Sequence, residues 1–492
     1  MKGKIIGLDI KQSFASFGTY SLEGGLSASV NNMGVNARYH YLSSKSDFSY
    51  KDNLETLQTR ENNDIKRHSF FTAFNYGSSD QADVLKIGLK YQYIGSERGA
   101  PGTLSFPNPY ARMFDKQHDI RLTLSKKTSD QKHRLITRAY YSNDLNRYLN
   151  EHPTEVLFPS DDRYLTKAAG LELQMSSVFL PQLVLNYGVS IRNDIFTNLG
   201  IDRTYDRFSY AAYLVSENMF VFPSIIIPKL KITPSIRYNG NNEFKDTWTP
   251  KVGLLVNVGP SGKFALKSNY AYNYRIPTFN DLYWPEDAYS GGNPDLLPEY
   301  GRDWDIGLRY HLDHVDLSVT FFNQDLTNLI IWESVNWVWT PQNIAKSRIR
   351  GLENRLEANI LANVLKITAN YTYMDAQDLT NGIENATFLP NRARHHANIG
   401  LIAGRKNLEF SYSLQYVGKR YTDAANTENM ALSSYLLNNM SLGYTCIPGC
   451  SSCRVSLRSR IFSMFHTGYY KTFPCREGNC RFTVNTGLHR MR

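Results

Sequence analysis

Apolar and polar residues alternate along most of the chain with a period of two. In residues 304–312 the even positions are all apolar or aromatic, while Asp305, Gly307, Arg309 and His311 occupy the odd ones. Successive side chains of a β-strand point to opposite faces, so this pattern predicts strands with one apolar and one polar face. The same alternation recurs at residues 20–30, 85–93, 365–373 and 408–416. No helical period of comparable length occurs in the sequence.

The connections between the predicted strands alternate between short and long. Tight turns lie at residues 31–34, 128–131, 259–262 and 404–407. Long polar stretches lie at residues 43–67, 143–164, 274–301 and 418–433. Extended over the chain, the pattern predicts about 22 strands, about 11 long loops and about 10 short turns. Strands of roughly ten residues are long enough to cross a bilayer when they are tilted.

Two soluble architectures, a propeller and a large sandwich, fit this pattern less well. A propeller predicts a blade repeat of about 40–50 residues, which the sequence lacks. A sandwich of this size needs more than one core and gives no reason for the long–short asymmetry. In lipid every backbone group must be paired, so a sheet there must close on itself. The sequence therefore predicts an all-β fold, a transmembrane antiparallel β-barrel of about 22 strands with long extracellular loops and short periplasmic turns.

Composition and charge agree with a membrane barrel. Aromatic residues make up 13% of the chain and include 33 Tyr, a residue favoured where one end of a side chain is apolar and the other is wet. The net charge of +10 is dispersed, and no basic helix or stacking motif points to a nucleic-acid partner. Basic residues suit contacts with anionic outer-membrane lipid and phosphorylated glycolipid. The residues expected to face the lumen include Lys86, Lys90, Asp305, Arg309, Lys366 and Glu409.

Residues 273–299 are aromatic and rich in proline, and they carry a family resemblance. The stretch contains Arg-Ile-Pro-Thr-Phe at 275–279 and Gly-Asn-Pro-Asp-Leu-Leu-Pro-Glu at 292–299. Asn-Ile-Ala at 343–345 and Ile-Arg-Gly-Leu-Glu at 349–353 follow downstream. With the strand count, these segments resemble the TonB-dependent outer-membrane receptors over essentially all of the chain. The motif residues, expected to act structurally, are Arg275, Pro277, Asn293, Pro294, Pro298, Glu299, Asn343, Gly351 and Glu353.

The resemblance implies a multi-pass protein of the Gram-negative outer membrane. It implies energy-coupled uptake of a scarce nutrient ligand, such as a ferric siderophore, haem or cobalamin. In that family a plug domain fills the barrel, and a TonB-type energy-coupling protein pulls on a segment ahead of the plug. Here a strand is predicted almost from Met1. We therefore expect residues 1–492 to be the barrel domain of a truncated or split receptor, without plug domain or signal peptide, so that coupling would need the missing plug segment.

The alternative function is a passive, porin-like outer-membrane channel. A barrel of about 22 strands has a lumen too wide for side chains alone to fill. Without a plug, such a barrel should conduct ions. Conductance therefore separates the two hypotheses.

Aromatic residues in two predicted loops are the candidates for ligand binding. Trp332, Trp337 and Trp339 lie in a predicted loop at 324–345, and Tyr283 and Trp284 lie in the loop at 274–301. Their rings could form a stacking platform for a planar ligand or a sugar. The alternative is that they belong to the outer aromatic girdle or pack the loops on themselves.

No catalytic motif and no convincing metal site stands out in the sequence. A Ser-His-Asp order, an HExxH helix and a phosphate loop are all lacking, so an outer-membrane hydrolase is disfavoured. His395 and His396 are candidate ligands for a metal or haem, but adjacent strand residues point to opposite faces and only one can face the lumen, so we do not expect a joint site. We expect no enzyme activity, no metal and no cofactor.

The spacing of Cys446, Cys450 and Cys453 resembles that of an iron–sulfur site, but an oxidising compartment favours a disulfide or incidental thiols. Cys475 and Cys480 could also pair.

Overall fold

The computed structural model describes the backbone of most of the chain. The described residues are 5–51, 56–78, 84–102, 107–152, 154, 156, 159–259, 262–285, 290–336, 338–361, 364–446, 453–464 and 481–488. At residues 5, 51, 445–446, 453–464 and 481–488 only the backbone is considered.

Long strands form the wall of the molecule. In chain order they are β1 (Ile5–Ala15), β2 (Thr19–Val30), β3 (Met33–Ser44), β4 (Ile65–Gly77), β5 (Val84–Gly99), β6 (Arg112–Lys127), β7 (His133–Asn150), β8 (Ser160–Leu180), β9 (Leu183–Asn198), β10 (Arg203–Val221), β11 (Lys229–Asn241), β12 (Lys251–Val258), β13 (Phe264–Arg275), β14 (Glu299–His311), β15 (Val315–Val335), β16 (Val338–Ile360), β17 (Leu365–Asp378), β18 (His395–Arg405), β19 (Leu408–Val417), β20 (Tyr435–Cys446), β21 (Cys453–Met464) and β22 (Arg481–Leu488). The loops hold a one-turn helix, α1 (Phe279–Tyr283), and a 3-10 turn at Glu428–Met430. Four short strands also lie in loops, at Ser49–Lys51, Leu57–Thr59, Thr247–Trp248 and Thr387–Phe388.

The sheet closes into a barrel. Each wall strand pairs antiparallel with the next one along the chain, and β1 also pairs antiparallel with β22. The register at this seam runs from Leu8 opposite Leu488 to Phe14 opposite Phe482. Closure removes the unpaired edges that a sheet in lipid cannot leave open. The prediction of an antiparallel barrel of about 22 strands is confirmed.

The two faces of each strand differ as the alternation predicts. On the outer face of β14, Trp304, Ile306 and Leu308 are exposed, with 41 to 51% of their surface accessible. On the opposite face the Asn269 amide donates to Asp305 at 3.0 Å, and the Arg309 guanidinium donates to Asp316 at 3.0 Å. An apolar exterior and a hydrogen-bonded polar interior are the expected arrangement for a barrel surrounded by lipid.

The two ends of the barrel differ in the length of their connections. At one end, here called the turn end, the described strands are joined by connections of two to seven residues. The other end, here called the loop end, carries the long loops, among them 45–64, 276–298, 379–394 and 418–434. The predicted asymmetry between short turns and long loops is confirmed, although β1–β2, β9–β10 and β15–β16 are joined by short connections at the loop end.

Three predicted boundaries are wrong, and in each case the strands extend further than the sequence pattern suggested. The predicted loop 143–164 is reduced to 151–159, because the ladder continues and an Arg147–Asp161 ion pair of 2.6 Å bridges it. The strand β14 begins at Glu299, inside the predicted long stretch 274–301. The predicted loop 324–345 is a hairpin of β15 and β16, paired as far as Val335 and Val338.

None of the helices among the described residues is long and apolar enough to span a membrane.

An arginine anchors the loop 45–64 to the wall. Arg112, at the start of β6, donates to both carboxylate oxygens of Asp64, at 2.6 and 3.0 Å. The same guanidinium donates to Glu97 at 2.8 Å and to the Asn62 side chain at 3.1 Å. A bidentate pair of this kind fixes the geometry of the loop end as well as adding energy.

This anchor predicts an acid-sensitive loop. The hydrogen bond from Arg112 lowers the pKa of Asp64 below its ordinary value of 3.8. Because the folded-state pKa is depressed, the pair stabilises the protein above pH 3.8 and loses this effect as the pH falls through the folded value. We expect Asp64→Asn to cost no more than about 1 kcal/mol near pH 6, since the pair is partly exposed. The difference in Tm from the unmodified protein should shrink towards about pH 3; a pH-independent difference would contradict this assignment.

Candidate functional site

The loop 276–298 is held at its two ends by charged and capping residues. Where it leaves β13, Arg275 donates to Glu299 of β14 at 2.7 Å. Thr278 then caps helix α1: its hydroxyl accepts from the Asp281 N–H, and its own N–H donates to the Asp281 carboxylate at 2.9 Å. This reciprocal capping box satisfies free N–H groups at the start of a helix. It explains how a stretch interrupted by prolines still contains a helical turn.

One side of this loop packs against the inner wall at β8 to β10. The Tyr283 ring stacks on Tyr205 with centroids 3.7 Å apart. The Phe279 ring stacks on Phe196 at 5.6 Å, and Phe196 stacks on Tyr164 at 5.9 Å. Tyr205, Phe196 and Tyr164 lie on the face opposite to the exposed apolar residues of their strands, so the loop folds over the barrel mouth. Stacked aromatic pairs of this kind bury large areas with a defined geometry.

A buried arginine on the same wall fixes the loop. Arg207 of β10 donates through Nη1 to the Pro277 carbonyl at 3.0 Å and forms a short ion pair with Glu243. Its guanidinium carbon lies 4.6 Å from the centre of the Phe279 ring. The Tyr283 hydroxyl also donates to Glu243, at 3.4 Å, and burial raises the pKa of Tyr283. Arg207 is 6% exposed, so these contacts are largely shielded from water.

The other side of the loop packs against the β15–β16 hairpin. The Trp332 indole N–H donates to Asp281 at 3.1 Å, and its ring meets Trp284 edge to face at 6.3 Å. The Gly291 N–H donates to the Trp339 carbonyl at 3.0 Å. Loop and hairpin therefore hold each other in place.

Two asparagines strengthen this contact through the backbone. The Asn343 amide donates to the carbonyls of Leu297 at 3.1 Å and Asn328 at 2.8 Å, and its oxygen accepts from the Leu297 N–H at 2.8 Å. Asn328, which has a positive φ of 57°, donates to the Pro298 carbonyl at 3.3 Å. These bonds replace strand pairing where the loop meets the hairpin.

The structure brings four of the five predicted ligand-binding aromatics to the same region. Trp284, Trp332 and Trp339 keep 37, 36 and 51% of their surface exposed. Tyr283 is half-buried and stacks on Tyr205. Trp337 lies outside the described residues. The exposed tryptophan faces leave room for a ligand, so the prediction that these residues bind one stays open to test.

The motif residues divide into two groups. Six of them lie in or next to the loop 276–298 and hold it to the wall and the hairpin. They are Arg275, Pro277, Asn293, Pro298, Glu299 and Asn343. Pro294 lies in a turn of the loop. Gly351 and Glu353 lie further down β16, towards the turn end.

Several residues of the mouth escaped the sequence analysis. Arg207, Phe196 and Tyr164 lie on strands far along the chain from the loop, and nothing in the local pattern distinguishes them from other lumen residues. Asp281 could have been found, because Thr278 three positions before it forms a recognisable capping pattern.

A cavity lies against the inner wall below the mouth. The cleft of about 470 Å³ is bounded by β8 and by β10 to β13, and its lining includes Tyr213, Arg237, Asn239, Lys251 and Asn273. The Arg237 guanidinium donates to Asn239 at 2.7 Å and lies 5.7 Å from the Tyr213 ring centre. These groups suit a polar, hydrogen-bonding surface.

Metal ligation is not supported in the part of the chain that the structure describes. No cluster of three or more His, Cys, Asp or Glu residues suited to a metal ion occurs there. His395 hydrogen-bonds Tyr371 on the outer face, at 2.9 Å. Cys446 and Cys453 pair across the β20–β21 hairpin through their backbones. Cys450, Cys475 and Cys480 lie outside the described residues.

The contacts of Asn343 give a direct prediction. We expect Asn343→Ala to increase hydrogen exchange at the Leu297 amide, which would lose its acceptor, at a local cost of about 1–2 kcal/mol. Asn343→Asp keeps an oxygen at this position and should preserve the protection of Leu297. Exchange measured by mass spectrometry on peptides covering 290–300 reads out both variants. Unchanged exchange in Asn343→Ala would show that the hairpin does not hold the loop.

Comparisons with known proteins agree on one family. The family described as "TonB dependent receptor-like, beta-barrel" matches residues 11–458. The vitamin B12 transporter BtuB of Photobacterium profundum is 27% identical over 293 residues, which are 58% of this chain and 44% of that protein. BtuB of Vibrio cholerae serotype O1 (strain M66-2) is 24% identical over 52% of this chain and 39% of its own length. The chain thus spans less than half the length of either relative.

Solved structures support the fold alone. The FrpB iron transporter of Neisseria meningitidis (F5-1 variant) superposes with a TM-score of 0.75 at 14% identity, covering 98% of this chain and 81% of that one. A ferric enterobactin receptor (PfeA) variant from Pseudomonas aeruginosa gives a TM-score of 0.71 at 13% identity, covering 99% and 80%. The outer-membrane location predicted from the sequence is typical of these Gram-negative barrels. The chain therefore belongs to the TonB-dependent receptor-like β-barrels of the Gram-negative outer membrane.

Proposed function

We propose that this chain forms the wall of a receptor that imports a scarce nutrient across the outer membrane by energy-coupled transport. The observation that carries the proposal is the family match across residues 11–458, in a sheet that closes into a barrel. The fixed loop 276–298 supports it, because a rigid mouth with exposed tryptophans can present a preformed surface to a ligand. Transport by a barrel needs no bond-making residues, and we propose no enzymatic step.

We propose a corrinoid of the cobalamin class as the first ligand to test. The supporting observation is the sequence similarity to two vitamin B12 transporters, 27% identical over 58% of this chain and 24% identical over 52% of it. A corrinoid has a broad ring with polar amide arms. The exposed tryptophans suit the ring of such a ligand.

We propose that the energy for transport reaches the receptor through a plug-type domain seated in the lumen. The lumen wall supports this step, because it presents paired charges and amides such as Arg138 with Glu172 at 3.1 Å. A folded polar domain in the lumen can form hydrogen bonds with these side chains in place of water. A TonB-type protein of the inner membrane would then act on that domain and not on the barrel.

Uptake of labelled cyanocobalamin tests the proposal. The chain is expressed together with a plug-type domain in a Gram-negative host that lacks its own cobalamin receptor, with and without an intact energy-coupling protein. We expect uptake that disappears when the coupling protein is deleted. Uptake that survives the deletion would overturn energy coupling. Absence of cobalamin uptake together with coupled uptake of a ferric siderophore would change the ligand and keep the receptor.

A passive channel is the second candidate, favoured by the width of a 22-strand barrel. Single-channel recording in a planar bilayer separates the two. A large, steady conductance supports the channel, while a silent barrel supports a plugged receptor.

Trp332 provides the sharpest test of the ligand surface. We expect Trp332→Ala to weaken cyanocobalamin binding by roughly tenfold or more, because a partly exposed indole would be lost from the mouth. Trp248→Ala is the matched control, since Trp248 is also exposed near the loop end but packs against Tyr238 of β11 and not against the loop 276–298. Equilibrium dialysis gives both values of Kd. An unchanged Kd in Trp332→Ala would remove this residue from the binding surface.

A further inference from the structure

A Tyr–His arrangement is repeated three times on the outer face of the barrel. In each copy the hydroxyl of one tyrosine is hydrogen-bonded to a histidine Nδ1 on the next strand, and the ring of the tyrosine two residues further on packs against the same imidazole. The hydrogen bonds join Tyr39 to His68 at 2.7 Å, Tyr91 to His118 at 3.0 Å and Tyr371 to His395 at 2.9 Å. The packed rings are Tyr41, Tyr93 and Tyr373, with centroids 4.9, 4.9 and 5.4 Å from the imidazoles.

All three copies lie towards the loop end and share the face of exposed apolar residues. His68 is two residues from exposed Phe70, and His118 is two residues from exposed Ile120. The copies therefore lie near the boundary between the hydrocarbon and the headgroups of the outer leaflet, where tyrosine is enriched. The tyrosines alone need no further explanation, but the histidines and the residues next to them do.

Two of the three copies carry an additional lysine, and the third does not. Lys66 precedes His68 by two residues and Lys116 precedes His118 by two, so each lysine shares the face of its histidine, about 7 Å nearer the loop end. Both lysines are exposed. The equivalent position before His395 is Ala393, which is buried. The structure thus contains its own comparison between a Tyr–His pair with a lysine and one without.

The two lysine-bearing copies are neighbours and meet at a glycine. Gly95 of β5 is the register partner of His68 on β4 and of Lys116 on β6. A Cβ at Gly95 would lie 2.4 Å from the Tyr93 hydroxyl, so that hydroxyl occupies the space of the missing side chain. A tyrosine hydroxyl, an imidazole and an ammonium group therefore surround one shallow notch on the outer surface.

The nearby carboxylates do not neutralise these lysines fully. Asp64 and Glu97 are both engaged by Arg112, at 2.6 and 2.8 Å. Lys66 is close enough to Asp64 to contribute to its lowered pKa, but neither Lys66 nor Lys116 forms an ion pair within the described part of the chain. The patch keeps a positive charge, with the Tyr93 hydroxyl beside it, for an anion.

From this geometry we propose that the outer face of β3 to β6 binds the phosphorylated headgroup of an outer-leaflet glycolipid, through Lys66, His68, Tyr93 and Lys116. The charge of the patch complements phosphate, and its position next to the apolar band places it at headgroup height. Each lysine adds to the attraction between the patch and an anionic membrane surface. The proposal rests on the membrane position of the barrel and is independent of the nutrient that the barrel transports.

Native mass spectrometry of the detergent-purified protein tests this proposal. The probes are lipid A with its two phosphates, the same lipid after enzymatic removal of the phosphates, and phosphatidylglycerol. The variant is Lys66→Ser with Lys116→Ser, and the control is Lys132→Ser with Lys263→Ser, which removes the same charge from exposed positions at the turn end. His68→Gln is compared with His395→Gln in the same way. Gel mobility without boiling confirms that each variant is folded.

We expect the Lys66/Lys116 variant to bind phosphorylated lipid A about tenfold or more weakly, with the turn-end control unchanged. His68→Gln should weaken binding, and His395→Gln should not. Equal losses in the variant and the control would overturn the site, as would unchanged binding in the variant. Equal binding of the dephosphorylated lipid or of phosphatidylglycerol would show that the patch does not select phosphorylated glycolipid.

Discussion

Replacement of Arg207 by Met should release the loop 276–298 from the barrel wall while leaving the barrel itself folded. The arginine is 6% exposed and joins Glu243, the Pro277 carbonyl and the Phe279 ring. Methionine fills a similar volume but leaves Glu243 as an uncompensated, largely buried charge. Breaking a buried pair in this way costs about 3–5 kcal/mol. Hydrogen exchange should rise in peptides that cover 276–283, the part of the loop that Arg207 contacts.

A double variant separates the loss of the pair from the loss of packing. Because Glu243 is the charge left behind, Arg207→Met with Glu243→Gln should be less destabilised than Arg207→Met alone. Arg355→Met is the surface control, since Arg355 is 68% exposed at its side chain and 3.5 Å from Glu357. That variant should change stability by less than about 1 kcal/mol. If the losses in free energy of unfolding caused by Arg207→Met and Glu243→Gln simply add in the double variant, Arg207 and Glu243 do not act as a pair.

Replacement of Gly351 by Ala should strongly destabilise the wall of the barrel. A Cβ at this position would lie 2.0 Å from the Tyr373 carbonyl oxygen on β17 and 2.8 Å from the Phe322 ring on β15. The carbonyl belongs to the backbone and cannot move without shifting strand pairing. Overpacking of this kind costs about 3 kcal/mol or more. Unfolding by guanidinium in detergent micelles, followed by tryptophan fluorescence, measures the loss.

Two further variants show whether the backbone contact is the cause. At Gly24 in β2 an added Cβ meets nothing within 4 Å, so Gly24→Ala should be close to neutral. Gly351→Ala combined with Phe322→Leu relieves the ring but not the carbonyl, and it should stay destabilised. Recovery of full stability in that double variant would assign the effect to Phe322 and not to strand pairing.

The wall of the barrel could be predicted because each strand repeats the same physical requirement. Trp304, Ile306 and Leu308 are exposed to the outside and Asp305 is paired within, as the alternation indicates. Closure also follows from the sequence pattern once lipid is assumed, since no backbone group can stay unpaired there. Turn lengths then fix which end carries the loops.

The mouth could not be predicted in the same way, because it depends on contacts between distant segments. Arg207 is separated from Pro277 by three intervening strands, and no local pattern links them. The β15–β16 hairpin resembles a loop in the sequence because the alternation of apolar and polar residues stops beyond Asn328. Ile330, Ile331 and Trp332 are successive apolar residues: Trp332 faces the loop 276–298, while Ile331 packs with Leu389 of the loop 379–394. A strand covered on both faces loses the period-two signal.

The pairing of β1 with β22 has a consequence for how the protein is made. This ladder joins Leu8 to Leu488 and Phe14 to Phe482, the most distant partners along the chain. Every other wall pairing joins consecutive strands, whereas this seam can form only when the first and last strands of the wall are both present. Joining such distant segments is entropically costly and slow. Until the β1–β22 seam forms, both of these strands expose an unpaired edge that is open to misassembly.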